Sequence, residues 1–333
     1  MKAFVGVLLG AAWICSLMAG CGREQEAVPE DEQSLESEYT IGVSMLYRSD
    51  EFYIDIENLL KREAEELGIE LIVQDANCDP TVQMRHFEDF IQMDVDAIIF
   101  SACDPVTCST AVAAANEAGI PVFTFDCDAA NDEGITAEMC NDFYEEGYEA
   151  GEWAKEYIAE NLNGHARVVI LDYAASFLVS GQRANGFEDA VTEMEGVELV
   201  AREDGKATRT VCMELMEDLI ETYNGDIDLV FAINYESGAG AISALKAADV
   251  EACVICAAWG EEPLQQLSGG DPYLKAVLLG DPRDQARILP IAKDYLDGKK
   301  IEKYNEYSYH LVTSETLDEM IDWREIIQLS LRI

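Results

Sequence analysis

The sequence predicts an α/β chain of two lobes, each built on a parallel sheet with crossover helices. Three observations carry this. Short β-branched or apolar runs alternate with helical stretches from Tyr39 onward. The alternation comes as two successive series. A chain of 333 residues, 49% of them hydrophobic, is also long enough for two cores rather than one.

The segment before the first series reads differently. Lys2 is followed by an apolar stretch that runs on to Met18 and ends in Leu17-Met18-Ala19-Gly20-Cys21. This is the pattern of an export signal and not of a folded helix. It resembles a bacterial lipoprotein signal, which implies removal of residues 1–20 and a lipid on Cys21. An ordinary secretory signal is the alternative reading. Residues 22–38, GREQEAVPEDEQSLESE, have little to bury and many acids, so residues 21–38 are expected to be a solvated tether. No later apolar run reaches the roughly 18 residues a spanning helix needs, so the mature chain is expected to be anchored without crossing the membrane.

In the first series the expected strands are 39–45, 69–75, 96–100 and 120–125, with amphipathic helices at about 51–67, 80–93 and 106–118 between them. Gly119 and Pro121 suit the end of the last helix and the start of the next strand. The second series has strands at 166–172, 197–201, 227–233, 252–258 and 273–280. Its helices lie near 142–162, 180–194, 207–222 and 236–248. A last helix at 284–298 and a strand at 304–311 precede a C-terminal stretch that can cross between the lobes.

Composition excludes several functions. With 66 acidic and 22 basic residues the formal net charge is −44, which opposes a nucleic-acid partner. Beyond Cys15 in the leader and Cys21 at its end, eight cysteines remain, at 78, 103, 108, 127, 140, 212, 253 and 256. Their spacing forms no small disulfide framework, and Cys253 and Cys256, three apart in one strand, face opposite sides. Mostly buried free thiols are expected. His86, His165 and His310 are far apart and none has a second ligand at zinc-binding spacing, so no metal or other cofactor is expected.

Several stretches between about Thr40 and Thr313 stand out together: IGVSM with Phe52-Tyr53 after it; Asp75, Asp79 and Gln83 in DANCDPTVQ; DFIQMDVDAIIF; ANEAGIPVFTFD; GQRANGFEDAV; NYESGAGAISALKAADV; and GDPRDQAR. In order and spacing they resemble the ribose/galactose class of type I periplasmic binding proteins. The resemblance implies two Rossmann-like lobes joined by three crossing strands that close over a ligand by hinge motion. It divides the chain into a first lobe of 39–140 plus 282–307 and a second of 141–281 plus 308–333. It also implies an extracytoplasmic solute-binding lipoprotein, a monomer, that delivers a sugar or sugar-like molecule to the permease of an ABC transporter. A sensory protein serving a membrane receptor is the alternative within the same fold.

Open parallel sheets bind ligands beyond the carboxyl ends of their strands, where Ser44, Ser101, Asp104, Asp126, Asn234 and Trp259 fall. The resemblance makes Phe52 and Tyr53 the aromatic pair that packs on a sugar ring. It makes Asp126 a carboxylate that accepts from ligand hydroxyls or amines, and Asn234 a paired donor and acceptor. The chain departs from the family at Cys127 and Gly181, where arginines are usual, and at Tyr235, Trp259 and Asp281. A more aromatic and more acidic site follows, which disfavours ribose itself and leaves another sugar or a cationic ligand. Arg183 matches a structural arginine. Hydrolase and nucleotide-hydrolysis signatures are missing. The partial dinucleotide fingerprint Gly238-Ala-Gly240-Ala-Ile-Ser243, followed by Glu261, has a serine at its third glycine, so an NAD-binding exported enzyme is a minor alternative.

Overall fold

The computed structural model describes residues 38–127, 133–307, 309–320 and 322–330. The leader, Cys21 and the tether up to residue 37 lie outside the described residues.

The first lobe begins with β1 (Tyr39–Met45), α1 (Glu51–Leu67), β2 (Ile69–Asp75), α2 (Pro80–Met93), β3 (Ala97–Phe100), α3 (Pro105–Glu117), β4 (Val122–Thr124) and β5 (Ile135–Cys140). The second contains α4 (Phe143–Asn161), β6 (Ala166–Asp172), a π turn at Phe177–Gly181, α5 (Gln182–Thr192), β7 (Val197–Asp204) and α6 (Arg209–Thr222). It continues through β8 (Leu229–Ala232), α7 (Tyr235–Ala248), β9 (Cys253–Ala258), α8 (Glu261–Ser268) and β10 (Leu274–Leu279). The chain then returns to the first lobe for α9 (Pro282–Ala286), α10 (Ile288–Leu296) and β11 (Tyr304–Glu306). It finishes in the second with β12 (His310–Thr313), α11 (Leu317–Met320) and α12 (Trp323–Ser330).

The sheets run β11-β5-β4-β3-β1-β2 and β12-β10-β9-β8-β6-β7. Every neighbouring pair is parallel except β10–β12. The chain passes between sheets three times: after β5, after β10, and between β11 and β12. The run expected as one strand at 304–311 is therefore two short strands in different sheets, because it is one of the crossings.

Local chemistry explains how the strands hand over to helices. Asp79, Asp104 and Asp281 each precede a proline, and each side-chain carboxylate accepts a backbone N–H of the first helical turn. Asp50, Asp142 and Asn234 cap α1, α4 and α7 in the same way. Gly68, with φ of 68°, ends α1 in the left-handed conformation glycine favours. α4 and α5 approach so closely that a Cβ on Gly186 would lie 1.9 Å from the Tyr144 carbonyl oxygen, so this contact needs bare backbone.

Each sheet is covered on both faces. Ile41, Val43 and Met45 point from β1 into the core under α1, and Phe90 fills the opposite face, where a Cβ on Gly42 would meet its ring at 2.6 Å. In the second lobe Cys253 and Cys256 lie in the cores on opposite faces of β9, as their spacing in a strand predicts. No disulfide joins the eight described cysteines, four of which are buried. Three departures from the sequence reading are local. β5 (ITAEMC) was not anticipated, since its alternation includes the buried Glu138. The helix at 284–298 breaks at Arg287, and α8 follows directly after Trp259-Gly260.

Candidate ligand-binding cleft

Beyond the ends of β1 and β4 an aromatic and acidic wall forms in the first lobe. Tyr53 is buried on α1, its ring 4.7 Å from that of Tyr47 and 5.7 Å from that of Phe52. Its hydroxyl donates a short hydrogen bond to Asp126. Asp126 stands just past β4 with φ of 60°, a left-handed conformation that aspartate adopts more readily than most residues. Its backbone N–H donates to Gln285 Oε1 at 3.1 Å, and the Cys127 thiol donates to its carboxylate at 3.3 Å. Burial pushes the Asp126 carboxyl above its ordinary range, with the bond from Tyr53 opposing.

Asp50 carries the same signature. Burial raises it to about 6, the N–H of Phe52 opposes, and Glu236, Glu51 and Asp126 add like-charge repulsion. Glu236 belongs to the second lobe, so part of the repulsion on Asp50 comes from across the lobes.

Behind this wall lies a buried polar cluster at the crossings. Arg183 holds Glu146 through two hydrogen bonds, Nε to Oε1 at 2.7 Å and Nη2 to Oε2 at 3.1 Å, and donates Nη1 to the Ile233 carbonyl at 2.9 Å. Its guanidinium lies 5.4 Å from the Phe143 ring centroid and 5.3 Å from that of Tyr309. Gln285 Nε2 and the Tyr307 hydroxyl are buried without a well-formed hydrogen bond, although Gln285 is near enough to influence that hydroxyl.

The lobes touch directly. Trp259 Nε1 donates to Asp55 Oδ2 at 2.7 Å, and the N–H of Glu261 donates to Glu51 Oε2 at 2.7 Å. Phe52 packs against the cores of both lobes.

The structure thus brings Phe52, Tyr53 and Asp126 into one wall, and brings Trp259 across to α1. Other residues singled out in the sequence sit at strand ends with their polar groups already engaged by nearby protein groups. Asn234 Oδ1 accepts from the Ser237 N–H at 2.9 Å while its Nδ2 donates to the Ala207 carbonyl at 3.2 Å. Tyr235 donates to Gln266 at 2.8 Å under the Arg209 guanidinium. Asp281 caps α9 and pairs with Arg283 at 2.6 Å, and Asp104 caps α3.

Ser44 and Ser101 lie at the carboxyl ends of β1 and β3. Both are fully buried, and Ser44 is bonded to His86 and Gln83 beneath the sheet. Strand alternation is the reason: Ser44 shares a face with Gly42, toward α2.

Sequence reasoning missed Tyr47, Asp55, Gln285 and Tyr307. Gln285 was within reach, in the GDPRDQAR stretch. Asp55 had no signal, because its partner Trp259 lies 204 residues away on the opposite lobe, and no local pattern singled out Tyr47 or Tyr307.

A family model described as a periplasmic binding protein domain matches residues 41–300. The ribose import binding protein of Bacillus subtilis (strain 168) is 29% identical over 306 residues, covering 91% of this chain and 96% of the relative. The fructose import binding protein of Bifidobacterium longum (strain NCC 2705) is 27% identical over 330 residues, covering 96% and 97%. Among solved structures, an ABC transporter solute binding protein from Bacillus halodurans C-125 with bound myo-inositol superposes with a TM-score of 0.77 at 27% identity, covering 85% of this chain and 97% of that one.

Proposed function

The chain belongs to the periplasmic binding protein family, and from that premise we propose that it captures a sugar or sugar-like polyol outside the cytoplasm and delivers it to an ABC transporter. The observation that carries the reading is the buried Tyr53–Asp126 hydrogen bond set among Tyr47 and Phe52, beyond the carboxyl ends of a parallel sheet. Aromatic faces pack on the C–H face of a sugar ring, and a carboxylate accepts from its hydroxyls. Phe52, Tyr53 and Asp126 are proposed as the first-lobe contacts, with the ring of Trp259 opposite them. Asn234, Tyr235 and Asp281 already hold protein partners and keep further donor or acceptor capacity that a ligand would use.

Family members are binding proteins rather than enzymes. Lipid attachment at Cys21, a tether through residue 38 and a monomeric state complete the proposal. The lobe boundaries proposed are 39–140 with 282–307, and 141–281 with 308–333.

The test is a thermal-shift panel of sugars, polyols, nucleosides and amines, followed by titration of the best stabiliser against Asp126→Asn. This variant keeps an acceptor for Tyr53. A sugar or polyol is expected to stabilise the protein, with affinity falling about tenfold or more in the variant. Stabilisation by no sugar or polyol, or an unchanged affinity in the variant, overturns the reading.

A further inference from the structure

We propose that α1 and the Trp259-Gly260-Glu261 corner form a latch that holds the two lobes closed through protein contacts alone, without a solute in the cleft. Two acceptors on α1, Glu51 and Asp55, lie four residues apart and so on one helix face. Two donors face them from the other lobe, the N–H of Glu261 and the indole N–H of Trp259, and both bonds are 2.7 Å long. Hydrogen bonds to a carboxylate are stronger than neutral ones. Asp55 and Trp259 are each only 5% exposed, so their bond is sheltered from competing water.

Gly260 shows that the contact is shaped for this approach. Its φ of 115° lies where L side chains rarely go, and a Cβ there would sit 1.9 Å from Glu51 Oε2. Any other residue at 260 forces the Glu51 carboxylate away. Phe52, between the two acceptors, packs against both lobes and closes the seam.

The surroundings oppose closure, which makes the bonds necessary. Burial raises the Glu51 carboxyl, the bond from Glu261 opposes this, and the charges of Asp55, Glu261 and Glu262 add to it. Without the latch, closing would press these acids together with no return.

Interactions made only in the closed state shift the hinge equilibrium, and a solute that requires closure binds more tightly as the closed fraction grows. Two charge-assisted bonds are enough to move the closed-to-open ratio by roughly tenfold or more. Trp259 is then a positioning residue first, whichever solute the cleft takes.

Small-angle X-ray scattering of the purified, solute-free protein tests this directly, with hydrogen exchange at the Glu261 amide as the local readout. The wild type is expected to be compact and to protect that amide. Trp259→Phe, which keeps the ring and loses the donor, and Gly260→Ala are each expected to enlarge the radius of gyration and speed exchange about tenfold. Should Gly260→Ala lose its far-UV circular dichroism, Asp55→Ala takes its place with the same expectation. A solute-free wild type that is already open, or variants as compact and as protected as the wild type, overturns the latch. Neither result depends on finding the ligand, so failure here is separate from failure of the sugar-binding reading.

Discussion

Replacing Arg183 with methionine perturbs the cluster that ties the second lobe to the crossings. Arg183 is 5% exposed, makes two bonds to Glu146 and one to the Ile233 carbonyl, and lies against Phe143 and Tyr309. Phe143 follows the first crossing and Tyr309 belongs to the third, so one guanidinium gathers both. Methionine retains much of the apolar stem but leaves the Glu146 carboxylate buried without its cation. Breaking a buried pair from one side costs about 3–5 kcal/mol.

The pH dependence follows from Glu146. Burial raises its carboxyl and Arg183 opposes that rise, so removing Arg183 lets the folded-state pKa climb further. A carboxyl raised in the folded state stabilises most below its unfolded value, and that contribution is lost as pH rises through the folded value. With the wild-type carboxyl raised to about 7, the deficit of the variant is larger at pH 8 than at pH 5 and changes mainly above pH 7, by at most about 1.4 kcal/mol per pH unit.

Urea denaturation followed by circular dichroism at both pH values measures it. Arg183→Met with Glu146→Gln removes the stranded charge and is expected to recover a large part of the loss. A deficit under about 1 kcal/mol at pH 8, or one indifferent to acidification, would refute the reasoning.

Two further outcomes are expected. Asp50, raised to about 6, favours the folded protein below its ordinary value and loses that advantage as pH rises through 6. Asp50→Asn, which can still cap α1, should flatten the fall in stability between pH 4.5 and 7 by on the order of 1–2 kcal/mol; parallel urea profiles for variant and wild type would contradict this. If Cys21 carries a lipid, Cys21→Ser expressed in the native host should leave the membrane fraction for the soluble one, whereas equal membrane retention would remove Cys21 as the anchor.

Much of the scaffold was legible in the sequence. β1, β2 and β6 occupy the expected residues, and so do α1 and α2, because apolar periodicity and the capping aspartates are local properties that act within one turn or one strand. The carboxyl-end placement of Asp126, Asn234 and Trp259 was legible for the same reason, since each ends a readable β-branched run. β5 was not, because Thr136 and the buried Glu138 interrupt the continuous apolar run that marks a buried parallel strand such as β3.

What the sequence by itself determined is the order of elements, the doubling into two sheets and the residue types offered at strand ends. Tertiary structure decided which of those side chains meet. Strand alternation turned Ser44 beneath its sheet, α1 brought Tyr53 onto Asp126 from 73 residues away, and lobe contact set Trp259 against Asp55 across 204. Local pattern acts over a few residues, whereas a cleft is built from strand ends that become neighbours only when the sheets form and the lobes meet.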